Sequence, residues 1–348
     1  MSRRRRSKGS GACGVLVVDK PAGPTSHDVV GWVRWVLAEP RVGHCGTLDP
    51  AATGLLVVGV GPATKLAPYF TGQDKGYWAR FVLGASTTTA DAEGEVCEEV
   101  PCSPEVQAGV GDALRALVGT HALPPPAFSA VHVDGRRAHA LARAGEAPVL
   151  PPRPMTVHAM EPGPVRAVGS RLEVEATLLV SKGTYIRSLA EALGAALGVP
   201  AHLGALHRLR SGALHLPHDR AVTGLRACRH QPTPSGPERW RIELGDPGMP
   251  REAAAEHLRA RLLPPAEAVP LPLLRVRDDT SGQRALARLA SGMPVAVDDP
   301  GLPVVPPEAS PLAVVPARPE APGLVIVRQE APGQLQPERV VVEPARSP

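Results

Sequence analysis

The 348-residue chain is 43% apolar and 21% charged with a formal net charge of +4, which provides for a sizeable core and two domains. No run of about eighteen uncharged apolar residues occurs, so no membrane helix is expected, and the Arg3–Arg6 cluster lacks the apolar stretch of a signal peptide, which makes the cytoplasm the expected address. Five scattered cysteines (Cys13, Cys45, Cys97, Cys102, Cys228) form no CxxC pair and argue against a disulfide framework or a structural zinc site.

Residues 1–13 read as a basic, disordered tail. It contains Gly9-Ser10-Gly11-Ala12-Cys13-Gly14, but this GxGxxG precedes a strand instead of following one, which is the wrong context for a dinucleotide. Gly14 to Asp19 is a β-rich run. Thr25 and Asp28 then form a capping box for a helix with Val29, Val30, Val33, Val36 and Leu37 on its apolar face.

Next comes Gly43-His44-Cys45-Gly46-Thr47-Leu48-Asp49-Pro50, which places one carboxylate on a turn held by Gly46 and Pro50. Such an acid suits a nucleophile; an Asp-Pro surface turn has the same local signature, and the octapeptide alone does not separate the two. Leu55 to Val60 predicts a buried strand, and Tyr77 to Leu83 a second with alternating faces. Ser103-Pro104 opens a helix with Val106, Val110, Leu114 and Leu117 inward. Alternation returns at Leu172, Val174, Ala176, Leu178 and Val180, and Ser181-Lys182-Gly183-Thr184 leads into a helix that Gly198 ends.

Strands and helices mix without a βαβ period, which predicts an α+β fold with a mainly antiparallel sheet. Pro217 to Pro250 turns rich in Pro, Gly, Arg and His and reads as a loop or insertion. After residue 268, apolar runs near Leu271–Val276, Val295–Val297, Leu312–Val315 and Leu324–Val327, with a helix near Gln283–Ala290, give a small β-barrel pattern. Of the 38 basic residues 33 are arginine, the better group for phosphate and base stacking, whereas aromatics amount to only 3%, too few for general single-strand stacking.

Four blocks, Gly14 to Pro21, Gly43 to Pro50 with Ala52-Thr53-Gly54, Asp74-Lys75-Gly76-Tyr77, and Ser181-Lys182-Gly183-Thr184-Tyr185-Ile186-Arg187, resemble the TruB family of tRNA pseudouridine synthases in order and spacing. Pro125 to Ala130 and His202 to Gly212 add weaker matches. The likeness spans about residues 14–216. More loosely, Leu262 to Val269 looks like the family's closing helix and residues 269–348 like its PUA-like RNA-binding domain, with 14–268 as the catalytic domain of pseudouridine synthase fold.

The resemblance implies isomerisation of uridine 55 in the tRNA T-loop to pseudouridine by base flipping, with Asp49 as nucleophile. Arg187 would pair with it, and because an opposite charge that close lowers an acid's pKa by about 1 to 3, Asp49 is expected to stay ionised. Tyr77 would stack on the extracted ring, His44 would support the flipped nucleotide or fill its space, and Tyr185 and Leu206 would line the base pocket. Lys20 would support the catalytic loop within the substrate site, and Lys65 would contact RNA phosphate. On spacing alone each has a plain alternative as a packed or solvated side chain. The partner implied is the tRNA T-arm stem-loop, bound by a monomer with no membrane; no cofactor or metal is implied, since rearrangement within one nucleotide involves neither redox change nor activated water.

Phe128, His132 and His139 depart from the family's usual Tyr, Lys and aromatic hydroxyl, and the Pro217–Pro250 stretch is longer than its usual connection. Two other classes compete: a non-catalytic RNA-binding or folding factor, and a thiol hydrolase using Cys45.

Overall fold

Along Arg171–Val180, alternation puts Leu172, Val174, Ala176, Leu178 and Val180 on one face, each at most 3% exposed, while Glu173, Glu175 and Thr177 take the other. The computed structural model describes residues 9–342, apart from 130, 134, 147, 149, 232–235, 237, 246–248, 307–309, 319–320, 322 and 332. It builds that strand into a ten-stranded sheet. The strands are β1 (Gly14–Lys20), β2 (Val42–His44), β3 (Thr53–Val60), β4 (Lys75–Leu83), β5 (Gly119–Leu123), β6 (Arg153–Val168), β7 (Arg171–Val180), β8 (Ala201–Ser211), β9 (Leu214–His215) and β10 (Ala221–Val222). They run β10-β1-β3-β8-β4-β7-β6-β5, with β2 on β3 and β9 on β8. The pairings β10 with β1 and β8 with β3 are parallel and the others antiparallel, as the irregular strand and helix order predicts.

On the polar face, Arg80 meets Glu173 and Trp78 Nε1 donates to Glu175, both at 3.3 Å; such cross-strand pairs tie β4 to β7. The apolar face is covered by α1 (Ser26–Leu37), α2 (Pro104–Ala116), α3 (Ile186–Leu197) and α4 (Arg251–Arg261), all of which feed one core cluster. The expected capping box at Thr25 and Asp28 opens α1, and Trp32 joins its buried face. Ser103 caps α2, which buries Val110 and Leu114 with Leu117 just beyond and Val106 at the margin. Gly198 ends α3 in the left-handed conformation at φ 69°, a geometry with little cost for glycine.

The C-terminal segment folds as a five-stranded sheet. Its strands are Leu273–Arg275, Val295–Ala296, Leu312–Val315, Leu324–Ala331 and Gln334–Val342, with α5 (Thr280–Ala290) packed on it through Leu286 and Leu289. The sheet curls into a half barrel compatible with the expected PUA-like module. The last strand went unforeseen because Pro337, Glu338 and Arg339 interrupt its apolar pattern. Val15, Val17, Leu55 and Val57, on the second face of β1 and β3, share a cluster with Ala313, Val315, Leu324, Ile326 and Val341. Burial on both faces explains why β1 and β3 are continuous apolar runs. Among the described residues no helix is long and apolar enough to cross a membrane.

Two expectations need correction. The Pro217–Pro250 stretch is not a bare loop: Ala221–Val222 pairs with β1, and Leu225–His230 pairs with Arg239–Leu244 as a hairpin. Val222, Leu225, Ile242 and Leu244, each at most 8% exposed, enter the main core; the apolar positions are real but diluted among Arg, His and Pro. At Leu262–Val269 the helix is a single turn, Pro265–Ala268, because Leu263 exchanges backbone hydrogen bonds with Val15 and consecutive prolines follow. The Arg3–Arg6 tail and the side chains of His132 and His139 lie outside the described residues.

If the hairpin is part of the core, Ile242→Ala lowers unfolding free energy by about 2–5 kcal/mol in denaturant titration. Unchanged stability would show an appended loop.

Candidate active site

The turn that carries Asp49 leaves the sheet where one edge of β3 changes partner. β2 pairs with β3 at Val58–Val60, and β8 takes over at Thr53–Gly54. In the gap, Cys45 N–H donates to Val57 O at 2.8 Å and Arg208 Nε to Leu55 O at 2.6 Å. Glycine is required at Gly54, which has φ 95° and whose Cβ would run into the Arg208 backbone.

Three buried side chains then hold the turn by its backbone. Arg208, 2% exposed, donates to Gly46 O and Thr47 O, both at 3.2 Å. Ser26 Oγ donates to Leu48 O at 3.0 Å and accepts from Leu48 N–H at 2.9 Å. Lys20, fully buried, donates to Pro21 O and Pro50 O at 2.9 Å and to Ala52 O at 2.7 Å. Burial pushes its amine down to about 8, because the charged form loses water. Lys20 thus sits beneath the turn with its amine committed to carbonyls, and it offers no donor to a substrate.

Asp49 projects from this rigid turn to Arg187, which enters from the first turn of α3: Nη2 lies 3.1 Å from Asp49 Oδ2. The Arg187 side chain is 6% exposed and that of Asp49 40%, so the carboxylate is accessible while the guanidinium is closed in. Arg187 Nη1 also lies 3.7 Å from Asp91 Oδ2 and donates to Thr89 O at 3.2 Å, while Nη2 donates to Phe128 O at 3.0 Å. Asp91 is fixed by Thr89 Oγ1 at 2.5 Å and Glu93 N–H at 3.1 Å. One guanidinium therefore serves two carboxylates, a geometry suited to arginine's fork of donors.

Burial reverses the expected direction of the Asp49 pKa. Burial pushes the carboxyl above its ordinary value; Arg187 and Lys20 pull it down, and Asp91 adds to the rise. Desolvation wins over one arginine already divided between two acids. The result is a positioned carboxylate more basic than an exposed one, suited to nucleophilic attack or proton removal.

Of the other expected site residues, Tyr77 lies directly across from Arg208 in the β4–β8 register, 8% exposed and in the same apolar cluster as Leu48. Leu206, half-buried, faces Ala79 in that register. Half-buried His44 ends β2, with Nδ1 lacking a partner among the described residues. Burial, aided by His27 and Arg208, pushes its imidazole below the ordinary value, towards the neutral form. Tyr185 caps α3 two residues before Arg187 and packs against Val131, Ala138 and Leu150. Lys65, exposed on the helical turn Gly61–Leu66 after β3, donates from Nζ to Val340 O of the C-terminal sheet at 2.6 Å. Cys45 is 2% exposed and burial pushes its thiol up to about 12, which removes the thiol-hydrolase reading. Among the described residues no group of three His, Cys, Asp or Glu side chains is placed to hold a metal ion.

Asp91 and Arg208 are the functional candidates that motif reading missed. Asp91 had one available signal, an Asp within Thr-Ala-Asp-Ala-Glu-Gly that bonds its own backbone two residues on. Arg208 had none, since an arginine on a strand is ordinary.

Because its folded pKa is raised, ionised Asp49 costs folding free energy above that pKa and the cost vanishes as the carboxyl protonates. Asp49→Asn is therefore expected to melt higher than the parent at pH 7, with the gap closing as pH falls into the carboxylate range. A lower melting temperature at pH 7 would contradict this electrostatic balance.

The family described as TruB family pseudouridylate synthase (N terminal domain) matches residues 34–186. The tRNA pseudouridine synthase B of Thermobifida fusca is 52% identical over 205 residues, covering 58% of this chain and 70% of that protein. That of Leifsonia xyli is 47% identical over 202 residues, 57% of this chain and 67% of that protein. Among solved structures, a chain of a Cbf5-Nop10-Gar1 complex superposes with TM-score 0.63 at 24% identity, over 94% of this chain and 84% of its own. A chain of an H/ACA RNP bound to a substrate RNA containing 2'-deoxyuridine gives 0.61 at 24% identity, over 96% and 85%. At that identity the two structures speak for the fold, a pseudouridine synthase architecture with a C-terminal module. The sequence relatives go further, and the chain belongs to the TruB family of pseudouridylate synthases, which are isomerases.

Proposed function

We propose that this chain converts uridine 55 in the T-loop of tRNA to pseudouridine, with Asp49 as the nucleophile. The ion pair of Asp49 with the buried Arg187, at 3.1 Å, carries the reading. It gives the cleft an anionic oxygen that is both fixed in direction and open to a ligand, for which a non-catalytic RNA binder has no use. The relatives named tRNA pseudouridine synthase B support tRNA as the substrate, and a T-loop presents splayed bases that a protein can stack and read.

A uridine inside a helix stack is out of reach of Asp49, so the nucleotide must flip out at a cost of a few kcal/mol. Tyr77 stacking on the extracted ring returns about 1–3 kcal/mol, with Tyr185 and Leu206 lining the pocket and neutral His44 supporting the nucleotide or filling its vacated space. Asp49 attacks at the ribose or at the base, and the N1–C1′ bond breaks. The uracil turns, C5 bonds to C1′ and the bond to Asp49 breaks to regenerate the carboxylate, the C5 proton leaves and N1 gains one, so product and substrate are isomers. The Tyr77 hydroxyl is the group assigned to the C5 proton transfer. Arg187 stays charged throughout and holds the carboxylate in its attacking orientation. Lys20 acts from beneath the turn, and exposed Lys65, next to the C-terminal sheet, contacts RNA phosphate. In this account residues 14–268 are the catalytic domain, residues 269–348 a PUA-like RNA-binding module, and the enzyme works as a cytoplasmic monomer.

Tritium release from a T-arm transcript labelled at uracil C5 tests the assignment. The parent is expected to release tritium and Asp49→Asn none, with RNA affinity largely kept; equal release from both would remove Asp49 from the chemistry. Arg187→Lys keeps the charge but loses the fork, and its rate is expected to fall by about 10²–10³, the usual loss for one preorganised electrostatic group. Parent-level turnover in that variant would discard the ion-pair argument.

A further inference from the structure

The hairpin of Leu225–His230 and Arg239–Leu244 has more structure than is needed to cover the core. Register and alternation give it two faces. Leu225, Ile242 and Leu244 are buried in the main cluster, which accounts for the half of the hairpin nearest the sheet. Further out, Trp240 lies opposite Arg229 in the register, and the Arg229 guanidinium sits 4.1 Å from the centre of its ring. Trp240 rests on Gly23, where a Cβ would run into the indole ring. The Gly23 N–H in turn donates to Pro50 O at 2.8 Å, and Pro50 adjoins Asp49. The outer end of the hairpin is therefore joined to the nucleophile's turn through one glycine.

The other face carries Arg226, Cys228, His230, Arg239, Arg241 and Glu243, and all but Glu243 are exposed. Arg241 is paired with Glu243 at 2.9 Å. Arg226, Arg229 and Arg239 form no ion pair among the described residues. Core coverage alone calls for the buried leucines and isoleucine; it does not call for exposed arginines without ion-pair partners along the hairpin, Arg226 at its sheet end and Arg229 and Arg239 at its outer end, with Arg229 preoriented on an indole face.

We propose that this hairpin is an RNA-contacting arm, in which Arg226, Arg229 and Arg239 bind the sugar–phosphate backbone of the substrate RNA beside the cleft. RNA as the partner rests on the pseudouridine synthase reading above, and its backbone is the polyanion that must pass this rim while a base occupies the site. Exposed guanidinium groups without carboxylate partners give up little on meeting phosphate and present the bidentate fork it fits. Such contacts add affinity and position without reading sequence. The arm therefore extends the RNA footprint along the side of the cleft formed by the Lys20–Thr25 turn.

The test compares the full-length parent with the triple variant Arg226→Gln, Arg229→Gln, Arg239→Gln. It measures Kd for a full-length tRNA transcript across a KCl series and the single-turnover rate at saturating tRNA. These side chains are exposed and only the Arg229 stack on Trp240 is lost, so the variant is expected to melt close to the parent. Each lost phosphate contact reduces the slope of log K against log salt by about 0.9 on a duplex and about 0.7 on a single strand. The proposal expects weaker binding and a slope smaller by about 2–3, with the rate at saturation within about twofold, since none of the three has been given a role in the chemistry. Unchanged Kd and slope would overturn it. So would a collapsed rate at saturation with an unchanged slope, which would make the hairpin a support for the catalytic turn and nothing more. If the parent makes no pseudouridine yet loses its salt slope on substitution, the arm stands and the functional reading falls.

Discussion

A single guanidinium organises the cleft. Arg187 is almost wholly buried and makes contact with four separate groups: the carboxylates of Asp49 and Asp91 and the carbonyls of Thr89 and Phe128. Burying a charge without partners is costly, so the partners that Arg187 meets draw these segments together at the start of α3. The same requirement that makes Arg187 tolerable in the interior draws the Asp49 turn, the Thr89–Glu93 loop and the segment around Phe128 into one place. Folding and site assembly are in this sense one event.

The second element is a turn held by its carbonyls. Arg208 and Lys20 grip the two ends of residues 46–52, and Ser26 holds Leu48 between them. Lys20 and Arg208 both spend their donors on backbone carbonyls of the turn, so neither is bonded to the Asp49 carboxylate. The balance is deliberate only in its physical effect: desolvation raises the Asp49 pKa while Arg187 and Lys20 restrain the rise, which keeps the oxygen basic without isolating it.

The main sheet was legible in the sequence wherever one face meets water, because alternation such as Leu172-Val174-Ala176 reports burial directly. Helix ends were legible at Thr25, Ser103 and Gly198 because capping is local chemistry. Asp49 and Arg187, 138 positions apart, were joined only through motif resemblance; no local pattern contains their contact. What stayed hidden depended on tertiary context. Asp91 and Arg208 look like ordinary polar residues until a long-range partner is known. The bond from Lys65 to Val340 stayed hidden because a lysine has the same local sequence whichever carbonyl it meets. The hairpin after Val222 was obscured because its few buried positions are outnumbered by arginine, histidine and proline, and the strand Gln334–Val342 was masked in the same way by Pro337 and its charged neighbours. The pKa of Asp49 was misjudged in direction since sequence suggests the partner but not the burial or the competing acid.

The central claim is that Asp49 is a partly buried carboxylate restrained by an arginine it shares with Asp91. The most direct measurement is the Asp49 carboxyl titration by NMR on protein selectively labelled with 13C at aspartate, in the parent and in Asp91→Asn. The account predicts a parent pKa above the ordinary aspartate value and a lower one in Asp91→Asn, where a repulsive charge is gone and Arg187 is no longer divided. A parent pKa at or below the ordinary value, or a rise on removing Asp91, would contradict it.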